Sequence, residues 1–227
     1  MRSPAHPPDA GPRRAWRSLG AWLLLIGVLA SGLCLDLGLK HWAFSNVADE
    51  PVSNEILRDS KLRIPPHDPV PVVPKLLSLH LVKNDGAVFG IGSNQRMFFI
   101  AFTMAALAAA LVVFGRWTSS RAWLAHLAIG LILAGGLGNL YDRIQLTVVR
   151  DYLHMLPGWT LPFGWHYPRL LGGGEEVFPW VFNAADVMLL LGMGLLLVHM
   201  NAVDRRRKHA QAIAAETIAK PTQPEST

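Results

Sequence analysis

The chain has 227 residues, of which 51% are hydrophobic and only 16% charged, with a mean hydropathy of +0.28 and a formal net charge of +5. Soluble domains carry about 25% charge, so this balance excludes an ordinary soluble fold and wholesale disorder. A single cysteine, Cys34, excludes an internal disulfide framework and a multi-cysteine zinc site.

Residues 1–17 form a tail rich in Pro, Ala and Arg, expected to be disordered. Uncharged runs of 18, 19 and 20 residues follow at 18–35, 97–115 and 122–141. A fourth apolar run, 177–203, is interrupted only by Asp186. A bilayer core about 30 Å thick needs ~20 apolar residues in a helix. Membrane spans are therefore expected near 18–40, 97–115, 122–142 and 178–203, within one domain covering 18–203. Cys34 falls inside the first span and is read as an inert membrane thiol. Leu33 before it argues against a cleaved lipoprotein leader, which wants a small residue there.

Two loops join the spans on one side. The first, 41–96, has a Pro-rich piece at 64–74 and a loosely alternating stretch at 76–89, expected to form strands. The second, 143–177, carries Trp159, Trp165 and Tyr167 beside Gly172-Gly173-Gly174. Residues 204–227 form a basic, then polar tail. The expected class is an all-α membrane protein: a four-transmembrane-helix bundle with an extracytoplasmic loop region that includes a small β-sheet.

Positive charge sets the orientation. Arg2, Arg13, Arg14 and Arg17 precede the first span, Arg116 and Arg121 lie between spans two and three, and Arg205-Arg206-Arg207-Lys208 follow span four. With four spans these regions share one face, so both termini are expected in the cytoplasm and the long loops outside. Topology accounts for the basic charge, and no nucleic-acid partner is needed.

The polar residues near the spans then fall into one layer at the outer face. Asp36 and Lys40 end span one, and Asn84, Asp85 and Gly86 precede span two. Asn139, Asp142 and Arg143 close span three, Asp151 follows, and Asn183 and Asp186 open span four. Asn139 and Asp142 share a helix face, as do Asn183 and Asp186. Gly135, Gly136 and Gly138 admit close approach of another helix. A charge at a helix centre costs about 2.5–3.5 kcal/mol in a membrane. A layer with at least three carboxylates therefore points to function more than to a polar clamp.

Paired carboxylates share a proton, because both cannot ionise cheaply. The ionised one draws a proton from water and the protonated one polarises a carbonyl. That is aspartic-protease chemistry, with no metal or cofactor. The sequence has no His-Glu-x-x-His, His126 and His199 stand singly within spans, and Ser93 has no evident base. A proton- or ion-coupled transporter is the rival reading. It is disfavoured by carboxylates at one face, only four spans and no internal repeat.

Four motifs in order resemble those of the lipoprotein signal peptidase (signal peptidase II) family. They are Lys83-Asn84-Asp85-Gly86-Ala87-Val88-Phe89-Gly90; Gly135-Gly136-Leu137-Gly138-Asn139-Leu140-Tyr141-Asp142-Arg143; Val148-Val149-Arg150-Asp151-Tyr152; and Phe182-Asn183-Ala184-Ala185-Asp186. Asp36 and Lys40 resemble the family's Asp-x-x-x-Lys at the end of its first helix. The resemblance covers about 18–203 and implies a catalytic pair, Asp151 and Asp186. The spacing alone does not choose Asp151 over Asp142. The resemblance also implies supporting or substrate-positioning roles for Asp36, Lys40, Asn84, Gly86, Phe89, Gly138, Asn139, Asp142, Arg143, Asn183 and Ala185.

By the same resemblance the substrates are diacylglyceryl-modified prolipoproteins, cut on the N-terminal side of the lipid-bearing cysteine. The enzyme is then a monomer in the bacterial cytoplasmic membrane, among membrane lipids, with its active site near the outer face. Two stretches exceed the family pattern, 41–79 and 157–177. The second lies between Asp151 and Asp186 and is read as a lid, an adaptation to substrate or a passive insertion. Arg150 is expected to face lipid headgroups or water, because successive strand side chains diverge.

Overall fold

The computed structural model describes residues 14–59, 61–86, 95–168 and 173–219. Its elements in chain order are α1 (Leu19–Asn46), α2 (Asn54–Arg58), β1 (Val70–Val73), β2 (Leu77–Asn84), α3 (Arg96–Val112), α4 (Trp123–Gln145), β3 (Val149–Met155), β4 (Val181–Phe182) and α5 (Ala184–Ala219). A π-helical turn, Val113–Trp117, extends α3. Four helical segments are long and apolar enough to cross a membrane: Leu19–Asn46, Arg96–Trp117, Trp123–Gln145 and Ala184–Ile213.

α4 is the central helix. Of its apolar stretch 67% is buried, against 17%, 6% and 11% for the others in chain order. The reason lies in its small residues. A Cβ on Gly135 would strike the carbonyl oxygen of Ala185 on α5, and one on Gly138 would strike the Asp36 carboxylate on α1. One on Gly136 would come within 2.8 Å of Leu107 on α3. Three glycines therefore let three helices close on α4 from different sides. The opposite faces stay apolar and uncovered, as at Leu23 and Ile26 on α1, Phe98 and Phe102 on α3, and Leu190 and Leu197 on α5. Such continuous apolar surface suits lipid and not water. Cys34 is exposed on the same kind of surface.

One end of the bundle carries a four-stranded antiparallel sheet in the order β1-β2-β3-β4. Val82 pairs with Asp151, Lys83 with Arg150 and Leu153 with Phe182. A core of Ala43, Phe44, Val47, Leu57, Leu79, Leu81, Leu146, Val148 and Tyr152 fixes the sheet to the ends of α1 and α4. Lys83 ties down the long first loop, its Nζ donating to the carbonyls of Ile56, Asp59 and Leu62 at 2.7–2.8 Å. A second core, with Leu25, Leu107, Phe114, Ile129 and Leu133, fills the bundle.

α5 begins at Ala184, later than the apolar run that starts at 177. Val181 and Phe182 pair with β3 instead, and Asn183 ends the extended segment by capping the helix. Its Oδ1 accepts from the backbone N–H of Asp186 at 3.1 Å, while Asp186 Oδ2 accepts from the backbone N–H of Asn183 at 3.0 Å. This is a reciprocal capping box, with Asp in the place more often held by Glu or Gln.

Candidate active site

The sheet end of the bundle gathers the polar residues of α1, β2, α4, β3 and α5 into one hydrogen-bonded cluster. Asp151 comes from β3, and its side chain points back toward the bundle. Asp186 sits on the first turn of α5. Asn183 joins them: its Nδ2 donates to Asp151 Oδ1 at 2.6 Å and its Oδ1 holds the Asp186 backbone.

Three asparagine amides share one logic. Asn84 Oδ1 accepts the backbone N–H of Gly86 at 3.0 Å, which turns Nδ2 onto Asp151 Oδ2 at 2.9 Å. Asn139 Oδ1 accepts from Lys40 Nζ at 2.9 Å and from Asn183 Nδ2 at 3.1 Å, which turns its Nδ2 onto Asp186 Oδ1 at 2.9 Å. Asn183 Oδ1 accepts a backbone N–H, so its Nδ2 faces Asp151. An ammonium and a backbone N–H only donate, so each amide has a single consistent orientation. Each presents N–H to a carboxylate.

A second layer supports the first. Asp36 Oδ1 accepts the backbone N–H of Ala185 at 2.9 Å, satisfying another donor at the start of α5. Lys40 Nζ lies 2.8 Å from Asp36 Oδ2 and 3.3 Å from Asp142 Oδ2, with all three side chains fully buried. Arg150 donates to Asp142 through Nη2 at 2.7 Å and Nε at 3.2 Å, and its backbone N–H reaches Asp142 Oδ2 at 3.1 Å. Two buried carboxylates thus face two buried cations. Ala185 is fully buried beside Gly138, where a larger side chain has no room.

Arg150 therefore turns inward, contrary to the expectation that it faces headgroups or water. Its partner Asp142 precedes it by eight residues across a tight turn in which Thr147 has φ of 70°. The turn folds the strand back over the end of α4, and a buried carboxylate there requires a cation. Arg143, adjacent to Asp142, pairs with no carboxylate among the described residues. It donates to the carbonyls of Gly86 (3.1 Å) and Asn139 (3.4 Å) and lies 5.2 Å from the Phe99 ring. Its neighbour Arg96 closes the same corner, donating to the carbonyls of Arg143 and Ile144. In the sequence Arg96 is barely marked. Its only signal there is a cation placed directly before the second apolar run. Phe89 and Ser93 lie outside the described residues. Asp85 is exposed and takes no part in the cluster.

Burial and the nearby charge of Asp186 push the Asp151 carboxyl up to about 7, against hydrogen bonds from Asn84 and Asn183 and the charge of Lys40. A carboxyl that holds its proton near neutrality is suited to acid–base work. Among the described residues no three His, Cys, Asp or Glu side chains are grouped as a metal site needs.

Comparison with known proteins accords with this arrangement. A family model described as signal peptidase (SPase) II matches residues 28–202. The lipoprotein signal peptidase of Symbiobacterium thermophilum is 36% identical over 141 residues, 62% of this chain and 80% of that protein. That of Geobacter metallireducens is 34% identical over 168 residues, 73% of this chain and 90% of that protein. Two solved structures, each described as a bacterial membrane enzyme, share the fold. One has a TM-score of 0.54 at 21% identity, covering 94% of this chain and 99% of its own; the other has 0.55 at 23%, covering 83% and 96%. With its four apolar helices the chain is a multi-pass membrane protein, and it belongs to the signal peptidase II family of proteases.

Proposed function

We propose that the protein is an aspartic endopeptidase that removes signal peptides from diacylglyceryl-modified prolipoproteins, cutting on the N-terminal side of the lipid-bearing cysteine, with Asp151 and Asp186 as its catalytic pair. The observation that carries this reading is the link through Asn183. One side chain binds Asp151 and orients Asp186, so two acids from separate elements are held as a unit. The names of the relatives supply the substrate class.

In this mechanism one carboxylate takes a proton from water, which attacks the scissile carbonyl carbon. The other, protonated, donates to the carbonyl oxygen; as the C–N bond breaks, the first passes the proton it took from water to the leaving amine and the second recovers its own from the diol hydroxyl. The raised Asp151 pKa supports one retained proton near pH 7. The amides of Asn84, Asn139 and Asn183 hold the acids in place and stabilise whichever is ionised. Charge placement in the sequence supports cytoplasmic termini and a site at the outer boundary. There the acyl chains of a lipidated substrate stay in the bilayer while the peptide reaches the acids.

The test is a gel-shift cleavage assay in detergent micelles with a diacylglyceryl-modified prolipoprotein. Wild type should cleave with or without chelator. Asp151→Asn and Asp186→Asn should each lose at least about a thousandfold in rate, by removal of an acid–base group, while keeping helical content. Full activity in Asp151→Asn would rule out this pair.

A further inference from the structure

The flank of α4 turned away from Arg143 holds two adjoining cavities of about 320 and 250 Å³, roofed by α2 and walled by the ends of α1 and α4. Tyr141 and Gln145 line the larger one. At 100° per residue both lie roughly 160–200° around α4 from Arg143, so the cavities open on a different side from the Gly86–Arg143 corner. His41, Asn54 and Arg150 line both cavities, and Arg58 lines the larger. Among the described residues no carboxylate lines either one.

The donors here are not used up. Arg150 spends Nε and Nη2 on Asp142, and its Nη1 has no hydrogen-bond acceptor among the described residues. Arg58 uses Nε on the Gln145 carbonyl at 3.0 Å, and the rest of its fork is likewise unbonded. Asp36 and Asp142 balance Lys40 and Arg150 behind the wall, so Arg58 leaves the cavity with a net positive charge. Depth is ordered too. Leu37 and Tyr141 lie one helical turn, about 6 Å, further into the bundle than His41 and Gln145. Tyr141 is 46% exposed. The mouth thus has apolar walls on the membrane side and guanidinium groups at the level where headgroups begin.

We propose that this recess binds the phosphodiester headgroup of an anionic phospholipid, with Arg58 and the free Nη1 of Arg150 on the phosphate oxygens, His41 and Asn54 on the headgroup, and the acyl chains running down past Leu37 and Tyr141. Guanidinium forks match phosphate oxygens, and basic recesses between membrane helices are suited to such headgroups. The inference needs only the membrane placement of the helices and stands apart from the proteolytic reading.

The test is native mass spectrometry of the full chain in nonionic detergent. The probes are dilauroyl phosphatidylglycerol, dilauroyl phosphatidylcholine and inorganic phosphate. One equivalent of phosphatidylglycerol should bind at least about tenfold more tightly than phosphatidylcholine. The double variant Arg58→Gln/His41→Gln should weaken it at least about tenfold, and Lys61→Gln, an exposed cation outside the cavities, should leave it unchanged. Equal affinity for the two lipids, or unchanged binding by the double variant, overturns the proposal. Arg58-dependent binding of inorganic phosphate as tight as that of the lipid assigns the recess to a free anion and overturns the lipid.

Discussion

Lys40 and Asp186 are joined through one amide: Lys40 Nζ donates to Asn139 Oδ1, and Asn139 Nδ2 donates to Asp186 Oδ1, each at 2.9 Å. A cation on α1 thereby fixes which end of an α4 amide meets a carboxylate on α5. The same ammonium neutralises Asp36 and Asp142. Its removal has two separable effects. Lys40→Met should leave two buried carboxylates short of a counter-ion, at about 3–5 kcal/mol. It should also loosen the Asn139 amide, whose Oδ1 would keep Asn183 Nδ2 alone. Adding Asp36→Asn should restore much of the stability and little of the activity. Thermal unfolding in detergent alongside cleavage rates separates the two. Recovery of both together would mean that Lys40 acts only on stability.

Asn183 offers a sharper separation. Serine caps helices about as well as asparagine, whereas alanine costs about 1 kcal/mol. Asn183→Ser should therefore keep α5 and its stability to within about 1 kcal/mol. It cannot bridge to Asp151 as the amide does, so cleavage should fall about 10- to 1,000-fold, in the range of a lost preorganised donor. Asn183→Ala should lose both. If Asn183→Ser cleaves at the wild-type rate, the amide bridge has no part in the chemistry.

The pH dependence follows from Asp151. Its folded pKa of about 7 stands above the usual aspartate value of about 3.9. Between those values the folded protein keeps a proton that the unfolded chain has released. The stabilisation this represents is complete below about 3.9 and is lost as pH rises through 7. In the proposed mechanism the competent pair carries one proton. kcat/KM should then fall above about pH 7 by roughly tenfold per unit. Stability should fall earlier, between about pH 4 and 7, and level off above that in wild type, while Asp151→Asn stays flatter. A pH–rate profile level from 6 to 9 contradicts the assignment.

The glycines of α4 make a packing prediction. Gly138→Ala drives a methyl group into the Asp36 carboxylate. It should cost about 1–3 kcal/mol, the usual penalty of overpacking, and lower activity through the Asp36–Lys40–Asn139 chain. Gly38→Ala meets nothing within 4 Å and should change neither by more than about 0.5 kcal/mol. Urea or thermal unfolding of the two variants side by side gives the comparison.

Much of this architecture was legible because membranes punish charge. Each polar or charged side chain near a span had to have a reason, so Asp36, Asn139, Asp142 and Asp186 stood out from their apolar surroundings. The sheet was half legible: β2 alternates visibly, while β4 has two residues and only its pairing with β3 defines it. Arg150 was read outward because strand alternation says only that it and Asp151 diverge. It does not say that the turn at Thr147 brings the strand over Asp142. The histidine row His67, His80 and His154, with ring centroids 5.2 and 6.3 Å apart, was invisible for the same reason. The β2–β3 pairing brings His80 and His154 together, and His67, from the loop before β1, is placed by accepting the backbone N–H of Leu81.

The capping box at Asn183 and Asp186 ties assembly to competence. α5 follows the other described helices in the chain, and its start supplies both Asp186 and the amide that bridges to Asp151. Until that helix is inserted, Asp151 has only Asn84 to hold it, and Lys40 orients an amide with no carboxylate to meet. If the proposed pair is the catalytic one, a chain emerging into a membrane full of potential substrates is therefore inert before α5, and the ability to cut arrives with the span that carries Asp186.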